Sequence, residues 1–286
     1  MTAARVGVVT VAYESGESLE AFLASIPGAA SEPVEVVVVE NASAGAAEAR
    51  ATAERHGARF LQLAENRGYG GGVNAGVELL GDVEFVLVSN PDTVLGAGSL
   101  DTLVARGRSR PEAAALGPLV RDAGGAVYPS ARRLPSLREG LGHALFVNLW
   151  PMNPWTRAYR QAAADIRERE AGWLSGSCVL VRRDVFAELG GFDEAYFMYF
   201  EDVDLGARIT RAGRVNLYVP DAEVTHTGAH STRRSASRMR AAHHDSAYRY
   251  LARRYTAWYL WPLRVALKLG LGIRKRLPSG GEVPDA

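Results

Sequence analysis

The chain has 286 residues, a hydrophobic content of 47%, a charged content of 23% and a formal net charge of +1, which is ordinary for a soluble globular protein with one large domain and a small appendage. Its single cysteine, Cys178, lies in an apolar run, which excludes an intramolecular disulfide and fits a buried thiol in a reduced cytosol. No stretch reaches the roughly 18 uncharged apolar residues of a membrane-spanning helix, and the N-terminus leads directly into a strand pattern, so we expect no secretion signal.

The first half of the chain alternates short β-branched runs with helical patterns, which predicts βαβ units and a mostly parallel sheet. The predicted strands cover residues 6–12, 34–39, 59–63 and 84–89, and the predicted helices cover residues 18–26, 46–56 and 73–80. In open α/β sheets, ligands bind beyond the carboxyl ends of the strands. The polar residues that follow these strands are therefore candidates for a binding site.

A glycine-rich segment, residues 66–76, follows the third strand and opens a helix, where backbone can approach a phosphate or a sugar closely. Gly70, Gly72 and Ala75 match a dinucleotide fingerprint loosely. In a dehydrogenase, however, that loop follows the first strand, whereas here the first strand leads into A-Y-E-S-G-E-S, which disfavours an oxidoreductase. The alternative explanation of the glycines is a tight turn with close helix packing.

The tripeptide Asn90-Pro91-Asp92 ends the fourth strand and is either a turn or a metal-binding element. Mg²⁺ or Mn²⁺ on a nucleotide diphosphate takes one or two carboxylates, which Asp92 could supply. His226, after the strand-like A-E-V-T, is a candidate second ligand whose imidazole suits Mn²⁺ better. A structural role for this histidine remains open.

The second half of the chain is less regular. It contains a hairpin-like stretch at residues 122–128, a Trp- and Pro-rich loop at residues 149–159 that indicates a lid or binding loop, and strand patterns at residues 173–181 and 215–219. A strand-like aromatic run, residues 196–200, leads into Glu201, Asp202 and Asp204, and a helical stripe follows. Three acids at a helix start exceed what capping needs, which suggests catalysis, although capping alone stays an alternative.

Together these segments resemble the inverting family 2 glycosyltransferases, within which the rhamnosyltransferases are most similar. The resemblance spans about residues 5–230 and rests on ordered motifs, namely T-V-A-Y, V-V-V-E-N-A-S, E-N-R-G-Y-G-G-G-V-N-A-G, V-S-N-P-D, G-W-L-S-G-S-C-V-L-V-R-R, G-G-F-D-E and Y-F-E-D-V-D-L-G-A-R. It implies an α/β fold of the GT-A nucleotide-diphospho-sugar transferase type, with a mostly parallel central sheet, flanking helices and a C-terminal helical extension.

The resemblance also implies site residues. Asp202 would be the general base, positioned together with the acceptor by Glu201, Asp204, Trp173 and Gly176, although Asp204 could instead form a helical ion pair with Arg208. Glu40 replaces the usual aspartate that reads uracil or thymine, and Asn90 replaces the first aspartate of the D-x-D triplet. Asp92 and His226 would hold the divalent cation, Mg²⁺ or Mn²⁺. The implied nucleotide-sugar contacts are Thr10, Ala12, Tyr13, Glu40, Asn41, Asn66, Gly68, Tyr69, Gly70, Asn74 and Asn90.

The implied reaction transfers L-rhamnose from dTDP-L-rhamnose to N-acetylglucosamine on a polyprenyl diphosphate, in cell-wall linker or surface-polysaccharide synthesis. A galactofuranosyl or hexosyl transferase, or a non-catalytic nucleotide-sugar-binding scaffold, is the alternative. The implied domains are a catalytic domain at residues 1–230, with a nucleotide part to about residue 120 and an acceptor part after it, and a basic extension at residues 231–286 with a disordered tail. Whether the chain forms a homo-oligomer stays open.

The extension concentrates positive charge, because residues 233–276 contain twelve Lys or Arg residues against the single acid Asp245. Residues 258–276 combine aromatic side chains with a basic face that includes Arg264, Lys268 and Lys275, which predicts a helix lying on a membrane surface. We therefore expect a cytoplasmic protein, peripheral at the inner face of the membrane, that binds no nucleic acid. A helix packed on the catalytic domain is the alternative. Arg132, Arg133 and Arg233 are candidate diphosphate contacts.

Overall fold

The first half of the sheet is parallel, as predicted. The computed structural model describes residues 5–135, 166–228 and 236–276. The elements of this half are β1 Val6–Ala12, α1 Gly16–Ala29, β2 Val34–Glu40, α2 Ala46–Arg55, β3 Arg59–Gln62, α3 Gly68–Glu78 and β4 Phe85–Ser89. The strands pair in parallel in the order β3-β2-β1-β4, and the helices that connect them cover both faces of the sheet.

Helix α3 begins at Gly68, five residues before the predicted start, because its glycines allow it to lie almost on the strands. A Cβ at Gly72 would stand 2.9 Å from a Val11 methyl carbon, and one at Gly76 would stand 2.5 Å from a Val9 methyl carbon. Close helix packing therefore explains these two glycines.

The second half of the chain extends the same sheet with mixed strand directions. Its elements are β5 Thr93–Leu95, α4 Ser99–Ser109, β6 Ala113–Asp122, β7 Val127–Tyr128, β8 Ala131–Arg132, β9 Arg169–Ala171, β10 Trp173–Leu174, β11 Cys178–Arg182, α5 Arg183–Glu188, α6 Glu201–Arg211 and β12 Val215–His226. In the sheet, β4 is followed by β11, β6, β12 and β5; β11 is antiparallel to β4 and β6, whereas β12 is parallel to β6. The antiparallel pair of β6 and β7 confirms the predicted hairpin.

Strand β12 continues past Pro220 to His226, seven residues beyond the predicted end. An irregularity between Val219 and Glu223 absorbs the proline and restores the pairing with β6. Beyond it the strand pairs with β5, and this places His226 opposite Thr93, next to Asp92. The irregularity thus brings two residues that are far apart in sequence to one edge of the sheet.

The aromatic run before the acids is not a strand, contrary to the prediction. Residues 196–200 form a chain of bends, and Tyr199 and Phe200 have left-handed φ values of 65° and 68°. Tyr196 is fully buried, and Phe200 packs against the same cluster, where its ring lies 5.7 Å from that of Tyr250. The run does not alternate apolar with polar residues as a half-buried strand does, because its side chains do not line one face of a sheet.

The extension is a pair of helices, α7 Ala236–Arg254 and α8 Trp261–Arg276, joined through a 3₁₀ turn at Trp258–Leu260. Helix α7 packs on the preceding domain, with Ala247 and Tyr250 buried, and α8 folds back against α7, where Lys275 pairs with Asp245. None of the helices in the described ranges is long and apolar enough to cross a membrane. The extension thus consists of α7, which packs on the catalytic domain, and α8, which packs on α7.

Some predicted segments lie outside the described residues, and the division of the catalytic domain remains a prediction. The loop at residues 149–159, Arg233 and the tail after residue 276 lie outside the described residues. One sheet runs through both proposed parts of the catalytic domain, with β6 crossing residue 120, and the division into nucleotide and acceptor parts stays a prediction.

Candidate active site

Asp202 lies in the first turn of α6, where two backbone amides hold its carboxylate. Oδ2 accepts a hydrogen bond from the Gly176 N–H at 2.9 Å, and Oδ1 accepts one from the Val203 N–H at 2.7 Å. The surrounding protein raises the pKa of Asp202 by desolvation, while these N–H groups and the charge of Arg132 act in the opposite direction. Asp202 is partly exposed, so a carboxylate of enhanced basicity remains open to a substrate hydroxyl.

Glu201, beside it, is a buried acid. Its side chain is closed to solvent, and Oε2 has no hydrogen-bond partner among the described residues. Burial first, and the charge of Asp202 second, raise the pKa of Glu201 to about 8. The two neighbouring carboxyls therefore titrate as a coupled pair, and burial raises the pKa of both.

Trp173 begins β10, and Gly176 lies in the turn that joins β10 to β11. The Tyr69 hydroxyl donates to the Gly176 carbonyl at 2.7 Å. Trp173 is buried; its indole N–H donates to the Arg133 carbonyl at 3.1 Å, and a Cβ at Gly206 of α6 would stand 2.6 Å from its Cβ. The indole thus supports α6, and contact of Trp173 with an acceptor stays a prediction.

Asp204 forms the ion pair with Arg208 that the sequence offered as an alternative to a role at the acceptor. Its Oδ2 lies 2.6 Å from Nε of Arg208, four residues later on α6. Arg208 also donates to the carbonyls of Leu189 and Gly191, both at 2.9 Å. The ion pair is thus present, and a role of Asp204 at the acceptor stays a prediction.

Asp92 and His226 form the second centre of the site. Nε2 of His226 lies 3.0 Å from Oδ1 of Asp92 and 3.3 Å from the Asn90 side-chain nitrogen. Two atoms that bind one ion at about 2.1 Å and at right angles lie about 3 Å apart, so the pair has the spacing of neighbouring metal ligands. Among the described residues, no group of three or more His, Cys, Asp or Glu could hold a metal. A bound diphosphate and water would supply further ligands to a cation here.

The carboxyl ends of β1 and β2 bring five predicted nucleotide contacts together. The Asn41 N–H donates to the Ala12 carbonyl at 2.9 Å, and Tyr13 follows Ala12 at the strand end. Thr10 and Glu40 are fully buried, and Oγ1 of Thr10 and Oε2 of Glu40 have no partner within the described part of the chain. Oε1 of Glu40 accepts from the Ser43 N–H at 2.8 Å. A nucleobase could reach Oε2 only after a small movement of the surrounding chain.

Asn41 and the asparagines of the glycine-rich segment form hydrogen bonds with the backbone. The Asn41 side chain accepts from the Arg67 N–H at 2.9 Å and donates to the Gly68 carbonyl at 3.0 Å, and Asn66 Oδ1 accepts from the Gly68 N–H at 2.9 Å. Asn74 exchanges two hydrogen bonds of 2.9 Å with the backbone of Phe192. These amides hold the start of α3 and the loop around residue 192, and their nucleotide contacts stay predictions.

Positions 68 and 70 of the glycine-rich segment also have no room for a side chain. Gly68 has a φ of 76°, and a Cβ there would overlap the Phe197 carbonyl oxygen. A Cβ at Gly70 would stand 2.9 Å from that of Phe192 and 3.7 Å from that of Glu201. The start of α3 therefore lies directly against the segment that carries the acids.

Strained backbone clusters at the same edge. In the described ranges, the non-glycine residues with positive φ are Glu14, Ala42, Tyr199 and Phe200. They adjoin Tyr13, Asn41 and Glu201, which are all predicted site residues. Left-handed non-glycine residues persist where the surroundings enforce them, and they are frequent at functional sites.

Two contributions to the site escaped the sequence analysis. Helix α7 holds the bends before the acids, because the Ser246 hydroxyl donates to the Met198 carbonyl at 2.9 Å and Tyr250 packs against Phe200. The Ser177 carbonyl accepts hydrogen bonds from the Asn90 N–H and the Ser89 and Thr93 hydroxyls. The predicted strand at residues 173–181 is interrupted here, because the S-G-S sequence at residues 175–177 forms a turn between β10 and β11.

Comparison with known proteins agrees with this geometry. The family described as "Glycosyltransferase like family 2" matches residues 4–244. An N-acetylglucosaminyl-diphospho-decaprenol L-rhamnosyltransferase of Mycobacterium tuberculosis is 47% identical over 280 residues, which cover 94% of this chain and 91% of that protein. The rhamnosyltransferase WbbL of Escherichia coli is 32% identical over 60% of this chain and 63% of its own length.

Among solved structures, the mannosyltransferase PcManGT from Pyrobaculum calidifontis, in complex with GDP-Man and Mn²⁺, aligns with a TM-score of 0.60 and 19% identity, covering 99% of this chain and 78% of that one. GalNAc-T7 with UDP, GalNAc and Mn²⁺ aligns with a TM-score of 0.56 and 16% identity, covering 78% of this chain and 43% of that one. These likenesses confirm the predicted GT-A type of fold.

Proposed function

The chain belongs to glycosyltransferase-like family 2, and from this premise we propose that it transfers L-rhamnose from dTDP-L-rhamnose to N-acetylglucosamine on a polyprenyl diphosphate. One observation carries the proposal: 47% identity, over nearly the full length of both proteins, to a rhamnosyltransferase named for that lipid-linked acceptor. Such a step belongs to the assembly of a cell-wall linker or a surface polysaccharide.

Asp202 is the group that fits the role of general base. It accepts the proton of the acceptor hydroxyl while that oxygen attacks the anomeric carbon of the donor, and the bond from this carbon to the diphosphate breaks on the opposite face. A single displacement of this kind inverts the anomeric centre. A base works best when its pKa lies near the working pH, and desolvation moves the pKa of Asp202 in that direction.

Asp92 and His226 are the residues that would hold a divalent cation, since a carboxylate and an imidazole 3.0 Å apart suit Mn²⁺ or Mg²⁺. The bound cation would offset the negative charge of the departing diphosphate. Asn90 lies in the same cluster, where its side-chain nitrogen is 3.3 Å from His226 Nε2.

Glu40 supports a pyrimidine donor. One of its oxygens already accepts from Ser43, which leaves a single free acceptor. The imide of thymine or uracil offers a single N–H, whereas guanine presents two neighbouring donors. We expect dTDP and UDP to compete with the donor more strongly than GDP, and Glu40→Gln to weaken this preference. Equal competition by GDP would contradict the assignment of Glu40.

The direct test combines a panel of nucleotide sugars with a short polyprenyl-diphosphate N-acetylglucosamine and measures the mass of the product. The expected result is the addition of one deoxyhexose from dTDP-L-rhamnose. Addition of a hexose or of galactofuranose would replace the proposed donor. Failure to transfer or hydrolyse any donor would favour a non-catalytic binding protein.

We further propose that α8 attaches the enzyme to the membrane surface that carries this acceptor. Trp261, Val265 and Leu269 follow one another at intervals of four and form an exposed stripe, next to Trp258, which is 82% exposed. Leu263, Leu267 and Leu271, on the other side of α8, are half-buried. Among residues 258–276 there is no acid, and Lys268 and Lys275 are exposed. Aromatic side chains beside cations suit a bilayer interface with anionic lipids.

Vesicle flotation tests this proposal. We expect the protein to float with vesicles that contain anionic lipid, and less with neutral ones, and the double variant Trp261→Ser, Leu269→Ser to remain unbound. Ile166→Ser changes an exposed apolar side chain elsewhere and serves as the control. Unchanged flotation of the double variant, or equal binding to DNA at physiological salt, would contradict the proposal.

A further inference from the structure

We propose that Tyr69 positions the general base, because its hydroxyl fixes Gly176 and Gly176 in turn holds Asp202. This inference rests on the proposed role of Asp202 and gives Tyr69 a different role from the nucleotide-sugar contact expected from the sequence. The three residues come from the start of α3, the turn between β10 and β11, and the start of α6.

Gly176 is held from both sides. Its carbonyl accepts the Tyr69 O–H at 2.7 Å, and its N–H donates to Oδ2 of Asp202 at 2.9 Å. A Cβ added at Gly176 would stand 3.4 Å from Cε1 of Tyr69 and 3.5 Å from Cβ of Asp202. The three residues are therefore in contact, and a movement of Gly176 would change the position of the carboxylate.

The neighbours of Gly176 are anchored to the sheet. The Ser177 carbonyl accepts from the Asn90 N–H at 2.9 Å and from the Ser89 and Thr93 hydroxyls at 3.2 and 3.1 Å. On the other side, the Ser175 N–H donates to the Ser130 carbonyl at 2.7 Å. The turn is thus fixed to the strand end that leads into Asp92. Tyr69 adds a restraint on Gly176 itself, from α3.

Tyr69 is itself well fixed. Its N–H donates to the Phe197 carbonyl at 3.0 Å, and its ring centroid lies 6.3 Å from that of Phe192. Burial, followed by the charges of Glu201 and Asp202, raises the pKa of Tyr69 well above its usual value, so the phenol stays protonated and remains a donor. Its one hydroxyl proton is used by Gly176, which leaves no proton for a sugar or phosphate.

Loss of the Tyr69 hydroxyl should raise the pKa of Asp202. The Gly176 N–H favours the charged form of Asp202. If Gly176 is released on one side, this bond weakens and the pKa of Asp202 rises. The carboxylate then protonates at higher pH and is aimed less well at the acceptor hydroxyl, so turnover falls while the donor still binds.

The experiment compares Tyr69→Phe with wild type and with Tyr248→Phe, which removes a hydroxyl from a half-buried tyrosine on α7. We expect Tyr69→Phe to lower kcat about tenfold, to leave the donor KM within about twofold, and to move the acidic limb of the kcat profile to higher pH. Tyr248→Phe should match wild type in all three. A rise in donor KM with an unchanged pH profile would instead support the sugar contact and overturn the proposal.

A measurement without substrate separates this proposal from the proposed function. Carbon-13 titration of the aspartate carboxyls, with Asp202→Asn to assign the signal, should give a higher pKa for Asp202 in Tyr69→Phe than in wild type. Gly176→Ala, which inserts a methyl group between Tyr69 and Asp202, should shift it in the same direction. An unchanged Asp202 titration in both folded variants would overturn the proposal, whichever sugar the enzyme transfers.

Discussion

The two halves of the site, one around Asp202 and one around Asp92, are built differently. Both aspartates are partly exposed at the carboxyl edge of the sheet. Asp202 is held by two backbone N–H groups, whereas the carboxylate of Asp92 contacts the side chain of His226. Backbone donors fix a carboxylate more firmly than a side chain does, because a side chain must itself be ordered.

This contrast matches the two chemical tasks. A base has to be aimed before the acceptor arrives, and the two backbone hydrogen bonds that aim Asp202 are formed without any ligand. Two side-chain ligands leave most of a cation's coordination open, so the Asp92 centre would be completed by the diphosphate. The comparison predicts that damage to the first centre lowers turnover and that damage to the second alters the dependence on metal and donor.

The largest effect is expected for Asp202→Asn. The amide keeps the shape of the side chain but cannot accept a proton, so kcat should fall about 10² to 10⁴-fold. Calorimetry should show that the donor still binds. Asp184→Asn is a matched control, since Asp184 accepts from the Val185 N–H at 2.8 Å in the first turn of α5, away from the site. Retention of more than about a tenth of wild-type turnover would exclude Asp202 as the base.

The second centre should respond to metal. Asp92→Asn and His226→Ala should each lower activity roughly 10 to 100-fold, with partial recovery of His226→Ala at high Mn²⁺, and an excess of chelator should abolish wild-type activity. His56→Ala is the control, because His56 makes a similar contact of 2.6 Å with Glu20 at the surface. Full activity in chelator would show that the two centres do not share a metal-dependent reaction.

Both centres could be located from signals in the sequence. The parallel strands were predicted because runs such as residues 34–39 are apolar on both faces, and the candidate residues after them follow from the geometry of such sheets. The acids of α6 were noticed because they exceed what a helix start needs. Both signals are local, and local signals are what a single sequence provides.

The parts that could not be predicted depend on distant partners. The bends at residues 196–200 take their conformation from α7, which lies about fifty residues later in the chain. The link from Tyr69 through Gly176 to Asp202 joins three separate segments. The i+4 spacing of Asp204 and Arg208 was visible in the sequence, and their ion pair forms as that alternative proposed.

Glu201→Gln tests whether the buried acid of the first centre destabilises the folded protein as pH rises. The pKa of Glu201 rises on folding from 4.5 to about 8, so its contribution to folding is fully present below pH 4.5 and is lost as pH rises toward 8. Glutamine has no charge to lose. We expect the variant to gain stability over wild type from pH 5 to pH 9, on the order of 1 to 3 kcal/mol at the upper end.

Chemical unfolding at several pH values measures this gain. Glu54→Gln, at an exposed position of α2, is the control and should show no such trend. A difference between Glu201→Gln and wild type that does not change with pH would mean that Glu201 is already ionised in the folded protein at neutral pH.

The smallest effect is expected for Asp204→Asn, which asks whether the third acid belongs to the first centre at all. Its ion pair with Arg208 is largely shielded from solvent, with side-chain exposures of 15% and 19%, so its loss should lower stability by about 1 kcal/mol. Because Arg208 also binds the carbonyls of Leu189 and Gly191, α6 should keep its position, and kcat should stay within about threefold of wild type. A fall in kcat of more than about tenfold without loss of stability would instead give Asp204 the positioning role. In that case the base centre would extend one helical turn further than its hydrogen bonds indicate.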